Sequence, residues 1–335
     1  MEWDRENRIE EGMSNMKRIE WLDYMKGVAI LIVVIGHVTH NIGGKYHFSA
    51  PIVVCEMPLF FMLSGILANK ITKRTITENY KKKIQSLGIP LFVVGTVFNI
   101  VIGGMYWFLY DVYHMGFWFL LSLLSCWLIF IPLLKGIKFL FKGESAIVSG
   151  LGDLLLFLPF VVYKLLSKHI PIEVDDALSL NFTLTYYRFF VVGYFVGLYY
   201  KKVRINTILW VSVVLTVGML IMIWLESPLL KYVPMTVQQL ILSVCLSATI
   251  YVCYRYSHKK VKSLLNRYGR NSLVIYMFHI MTIKYVDVSF LQNTGEVVAF
   301  LGTLAISILL SEVSMLAFYP VEHNKYLRKY VLGKF

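Results

Sequence analysis

The sequence predicts an all-α integral membrane protein, a polytopic bundle of about ten transmembrane helices with both termini cytoplasmic. Three observations carry this expectation. Hydrophobic residues make up 57% of the 335 positions and charged residues 16%, with a mean hydropathy of +0.63, well outside the range of a soluble domain. Ten apolar segments recur along the chain, each long enough to cross about 30 Å of hydrocarbon as a helix. Finally, 27 of the 33 Lys and Arg residues fall in alternate connections, the bias that marks the cytoplasmic side of a membrane protein.

Taken in order, the segments are 27–43, 51–69, 88–107, 114–134, 146–163, 183–200, 206–225, 234–254, 271–290 and 297–319, each bounded by charge or by Pro and Gly. The first follows Lys26, and the second contains Pro58. The third follows the Lys81-Lys82-Lys83 run and contains Pro90, and the fourth ends before Lys135. The fifth stops at Lys164 and the sixth at Lys201. The seventh follows Arg204, the eighth ends before Arg255, the ninth follows Arg270, and the tenth ends at Pro320. Hydrocarbon satisfies no open backbone group, so continuous runs of this kind must be helices. They lack the ten-residue alternation of a membrane barrel.

Residues 1–17 read as a cytoplasmic N-terminal segment, 18–322 as one transmembrane domain and 323–335 as a cytoplasmic tail. The opening residues mix Glu2, Asp4, Glu6, Glu10 and Glu11 with Arg5, Arg8, Lys17 and Arg18, which is not a signal-peptide pattern. The net charge of +13 is dispersed in short clusters between apolar runs, so it reads as topology and not as a nucleic-acid surface. Cys55, Cys126, Cys245 and Cys253 lie in apolar stretches without metal-ligand spacing, and no metal is expected.

Ionisable groups within spans are costly and therefore candidates for function. They are His37, Glu56, Asp153, Arg188, His279 and Glu312, with Asp23 and Lys26 at the inner end of the first span. Lys26 and His37 are eleven positions apart, about three turns on nearly one azimuth, with the imidazole roughly 16 Å deeper. Asp23 stands one turn from Lys26. This track suits a polar substrate entering from the cytoplasm, although a histidine bonded to a neighbouring carbonyl and a snorkelling lysine account for the same pattern. In the second span, Pro58 frees a carbonyl one turn earlier, and Ser64-Gly65 permits close approach of a partner helix or an extended ligand. Glu56 either orients His37 or stays protonated against a carbonyl. Asp153 and Glu312 read as packing hydrogen bonds. Arg188, flanked by Tyr187 and two phenylalanines near the outer end of its span, either meets a carbohydrate or acidic group or snorkels outward.

The run Arg18-Ile19-Glu20-Trp21-Leu22-Asp23-Tyr24-Met25-Lys26-Gly27, continuing to Gly36-His37, resembles the first helix of the membrane acyltransferase-3 family, in which Arg or Lys is followed after ten residues by His. It looks most like the branch of fucose 4-O-acetylase-related acetyltransferases. Further matches are Met57-Pro58-Leu59-Phe60-Phe61 with Ser64-Gly65, the Lys81-Lys82-Lys83 run leading to Ile89-Pro90, Phe117-Trp118-Phe119-Leu120, and Gly269, Ser272, Leu273, Tyr276 and His279. The resemblance spans roughly Arg18 to Glu322. Two positions differ: Glu56 stands where the branch often has His, and Lys26 stands where Arg is commoner.

The resemblance implies transfer of an acyl group, usually acetyl, from cytoplasmic acyl-CoA to a hydroxyl of a cell-envelope glycan or glycolipid precursor at the inner membrane. His37 is then the base or the acyl carrier, with Asp23, Glu56 and His279 as further catalytic candidates. Lys26, Ser64, Lys70, Lys73, Arg74, Lys82 and Trp118 are the candidates for binding the donor, and Arg188 and Tyr187 for the acceptor. A transporter or flippase of a lipid-linked glycan is the competing reading, but it predicts an internal duplication that the sequence does not show.

Overall fold

The computed structural model describes residues 20–43, 46–68, 74–199 and 205–334. It is 86% helical, with no strand among the described residues. Among the described residues, seven helices are long and apolar enough to cross a membrane. In chain order the main helices are α1 (Glu20–Ile42), α2 (Ser49–Ile66), α3 (Ile76–Val101), α4 (Trp118–Leu140), α5 (Val148–His169), α6 (Leu180–Tyr199), α7 (Ile205–Trp224), α8 (Met235–Tyr256), α9 (Lys259–Arg270), α10 (Ser272–Thr282), α11 (Glu296–Ala317) and α12 (Lys325–Leu332).

All ten apolar segments fall on helices, but two of those helices are shorter or less apolar than a simple span. α6 has the length yet carries Asn181, Arg188 and four tyrosines. α10 has eleven residues, whereas α7 is apolar along its twenty.

Several connections expected to be loops are helical for local reasons. Thr75 and Glu78 form a reciprocal capping box, which starts α3 early enough to place Lys81, Lys82 and Lys83 on a helix face. Within α3, residues Ile84–Gly88 form a π-helical turn. Pro90 has no N–H to give the Ser86 carbonyl one turn back, and its ring crowds that carbonyl; a widened turn relieves both problems. The basic stretch before the ninth segment is the amphipathic helix α9, and the expected cytoplasmic tail forms α12.

Two glycine crossings set the architecture. On α1 and α9, a Cβ at Gly27 would run into the Leu265 carbonyl, and one at Gly269 into the Asp23 carbonyl. On α2 and α6, a Cβ at Gly65 would meet the Phe190 carbonyl and one at Gly193 the Met62 carbonyl. Backbones in contact at these points leave little room for lateral drift. Phe61, Phe130, Phe190 and Tyr194 fill the interior around the second crossing. The weaker candidates Asp153 and Glu312 are structural. Lys138 pairs with Asp153 at 2.9 Å, and Glu312 accepts from Arg267 and from the Tyr268 hydroxyl.

Candidate active site

The glycine crossing of α1 and α9 fixes what happens deeper in the membrane. The chain turns at Asn271 into α10, which continues beside α1, and the rings of His37 and His279 meet edge to face with centroids 5.1 Å apart. The His37 Nδ1 lies 2.9 Å from the Val33 carbonyl, and the His279 Nδ1 lies 2.7 Å from the Ile275 carbonyl. A carbonyl can only accept, so each Nδ1 carries the proton and each neutral ring presents a basic lone pair at Nε2. His279 is fully buried, and its Nε2 has no hydrogen-bond partner among the described residues. His37 is half-buried and so is the more accessible of the two.

Glu56 approaches this pair without bonding to it. Its Oε2 packs against Gly36, where a Cβ would strike it, and it has no hydrogen-bond partner among the described residues. Only glycine next to His37 leaves room for that carboxyl. At the inner end of α1, the Lys26 ammonium lies 3.9 Å from the Asp23 carboxylate; Asp23 itself is buried.

A cavity of about 180 Å³ opens beside Lys26. Its polar lining is Lys26, Lys83, Ser64, Ser86, Ser272 and Tyr276, and the remainder is leucine, phenylalanine and Trp127. Among the described residues, no Asp or Glu contributes to the wall. The Lys83 Nζ is held 3.3 Å from the centroid of the Trp127 ring, the geometry of a cation–π contact. Tyr276 closes the deep end. Its hydroxyl donates to the Gly116 carbonyl at 2.5 Å, and its ring stands 5.0 Å from Phe119 and 6.0 Å from His279. One aromatic ring therefore separates the cavity from the histidine pair.

The expected site residues divide accordingly. His37 and His279 are brought together, and Lys26 and Ser64 share the cavity. Lys82 is exposed on α3 while its neighbour Lys83 faces inward. Arg74 is half-buried at the start of α3, outside the lining, and Lys70 and Lys73 lie outside the described residues. Trp118 is likewise not in the wall. Its ring packs 4.4 Å from Phe182 and 5.7 Å from Tyr186, so the tryptophan of the cavity is Trp127, nine residues on. Tyr187 is fully buried and stacked on Phe190. Arg188 lies over Phe160 and Phe189 at 5.3 and 4.9 Å. These two consecutive residues face different surroundings.

Sequence reasoning placed Lys83 in the basic rim without singling it out from its neighbours, and it missed Ser86 and Trp127 as wall residues. The signal for Tyr276 was present in its spacing, one turn before His279. For Lys83 no periodicity would suffice, because the π-turn resets the helical phase beyond it.

An apolar helical bundle of this kind defines a multi-pass membrane protein, with a basic cleft and a histidine pair set within it. The chain belongs to the acyltransferase-3 family, whose acyltransferase-domain model matches residues 19–312. Searches of curated proteins and of solved structures find no match.

Proposed function

We propose that this protein transfers an acyl group, acetyl in the first instance, from cytoplasmic acyl-CoA to a hydroxyl of a cell-envelope glycan or glycolipid precursor, and that it belongs to the fucose 4-O-acetylase-related branch. The same reading gives ten crossings of the inner membrane, with α6, α7 and α10 completing the seven longer helices, and both termini in the cytoplasm. The observation that carries the proposal is the cavity wall: among the described residues it holds two lysines and no carboxylate, ending one ring short of two imidazoles.

Lys26 and Lys83 hold donor phosphate by charge, and the apolar wall with its serines takes the thin pantetheine arm. The His37 Nε2 removes the acceptor hydroxyl proton as the oxygen attacks the thioester carbonyl. The tetrahedral intermediate collapses with cleavage of the C–S bond; the ester leaves with the acceptor, and the CoA thiolate recovers the proton from the imidazolium. His279, edge-on to His37, holds that ring in place. Purified protein incubated with radiolabelled acetyl-CoA, with and without envelope glycans, tests the reading. Acceptor-dependent CoA release that disappears in His37→Ala supports it, whereas glycan movement across vesicles without donor consumption refutes it.

A further inference from the structure

We propose that the C-terminal helix α12 is a positioning element for the donor cavity, fixing the π-helical turn of α3 that aims Lys83 and Ser86 into the cleft. The inference rests on the reading of that cleft as the donor site.

The chain end is built with defined stops. Asn324 caps α12 by accepting from the backbone N–H groups of Tyr326 and Leu327 at 3.0 and 3.1 Å. Gly333 ends the helix in the left-handed region at φ 60°, where glycine carries no steric penalty. The Lys334 ammonium returns to Glu322 at 2.6 Å, tying the end to the segment before α12. Leu332 is 1% exposed and joins the main hydrophobic core.

What the helix docks against gives it a role. Gly333 lies flush on the π-turn: a Cβ there would run into the Gln85 carbonyl and come within 3.3 Å of the Ser86 Cα. A π-turn has poorer hydrogen-bond geometry than an α-turn and tends to persist where packing supports it. It sets the phase between Lys83 at its start and Ser86 and Leu87 within it, and all three line the cavity. Glycine at 333 thus satisfies two requirements together, a left-handed φ and a backbone contact with the turn that positions the cationic wall.

The test uses the full-length detergent-purified protein, coenzyme A as the binding probe, and acetyl-CoA turnover. Gly333→Ala wedges the helix off the turn, and Leu332→Ala loosens its anchor without adding bulk. Both are expected to raise the CoA dissociation constant and the donor KM about tenfold, equivalent to one phosphate contact of about 1.4 kcal/mol, while kcat at saturating donor stays unchanged. In a Lys83→Ala background neither substitution has a further effect, because the contact it positions is already gone. Wild-type affinity in both variants overturns the inference. So does equal weakening in the Lys83→Ala background, since the helix would then act on overall stability alone. If wild-type protein binds no CoA, the donor reading falls and the inference falls with it.

Discussion

His37 and His279 stand at equal distances from a shared crossing: each lies ten residues beyond the glycine, Gly27 on α1 or Gly269 on α9, at which α1 and α9 touch. Contact at both levels means that α9 and the following α10 run along α1 in the same direction, and the equal residue count brings the imidazoles together. The edge-to-face pair, at 5.1 Å and 87°, is thus set by backbone packing well below it.

On the proposed mechanism, that pairing has the two rings act as one unit. Truncation of His37 to alanine is expected to lower kcat by about a hundredfold to ten-thousandfold, the range for loss of a general base. His279→Ala costs less and leaves the donor KM unchanged. The double variant is no slower than His37→Ala, because groups acting as a unit are non-additive. Acceptor-dependent CoA release under steady-state conditions decides it; losses that multiply would show two independent roles.

Much of this was legible in the sequence, and the parts that were not share a cause. Apolar runs and the basic alternation mark the ten apolar helices, though not the amphipathic α9 and α12, and the eleven-residue step from Lys26 to His37 places an imidazole deep on α1. Which other helix brings its partner is invisible, because the Gly27–Gly269 crossing joins positions 242 residues apart. The cavity wall was harder still. Lys82 and Lys83 are indistinguishable in a lysine run until a capping box and a π-turn set their azimuth. Trp118 carries the recognisable motif, yet Trp127, two and a half turns on, supports the cation.

The glycine crossing can be tested by adding bulk. Gly27→Val and Gly269→Val each force apart backbones now in contact, and overpacking of this kind costs about 1–3 kcal/mol. The expected result is a lower thermal midpoint in detergent together with lost turnover. Gly218→Val on α7, where an added Cβ meets nothing within 4 Å, leaves both unchanged. Wild-type activity in Gly269→Val would show that the histidine pair does not depend on this crossing.

Within the lysine run, Lys83 and Lys82 should separate cleanly. Lys83→Ala raises the donor KM by about tenfold, the cost of one charge-assisted phosphate contact, with little change in kcat. Lys82→Ala, on the exposed face, stays near wild type. Raising salt narrows the gap between wild type and Lys83→Ala, as a charge contact requires. Titration of acetyl-CoA at two ionic strengths measures this, and a Lys82 effect equal to that of Lys83 would contradict the inward aim of Lys83.

The turn before α4 carries a pH dependence whose sign follows from burial. His114 is buried with φ 46°, beside Met115 at φ 53°, and its Nδ1 donates to the Phe108 carbonyl at 2.7 Å. Burial holds its pKa below 6.5, outweighing the opposing pull of that carbonyl and of Asp111 and Asp176. The folded protein therefore binds this proton less readily than the unfolded chain. Stability from His114 is complete above the unfolded value and declines as pH falls through it, because the unfolded state takes up the proton first. The thermal midpoint of wild-type protein should drop between about pH 7 and pH 5, and His114→Gln, which has no titrating ring, should flatten that slope while lowering the midpoint at neutral pH. Because Gly116 in the same turn accepts the Tyr276 hydroxyl, loosening at low pH should also reach the wall of the cavity. A wild-type midpoint that rises on acidification would overturn the assignment.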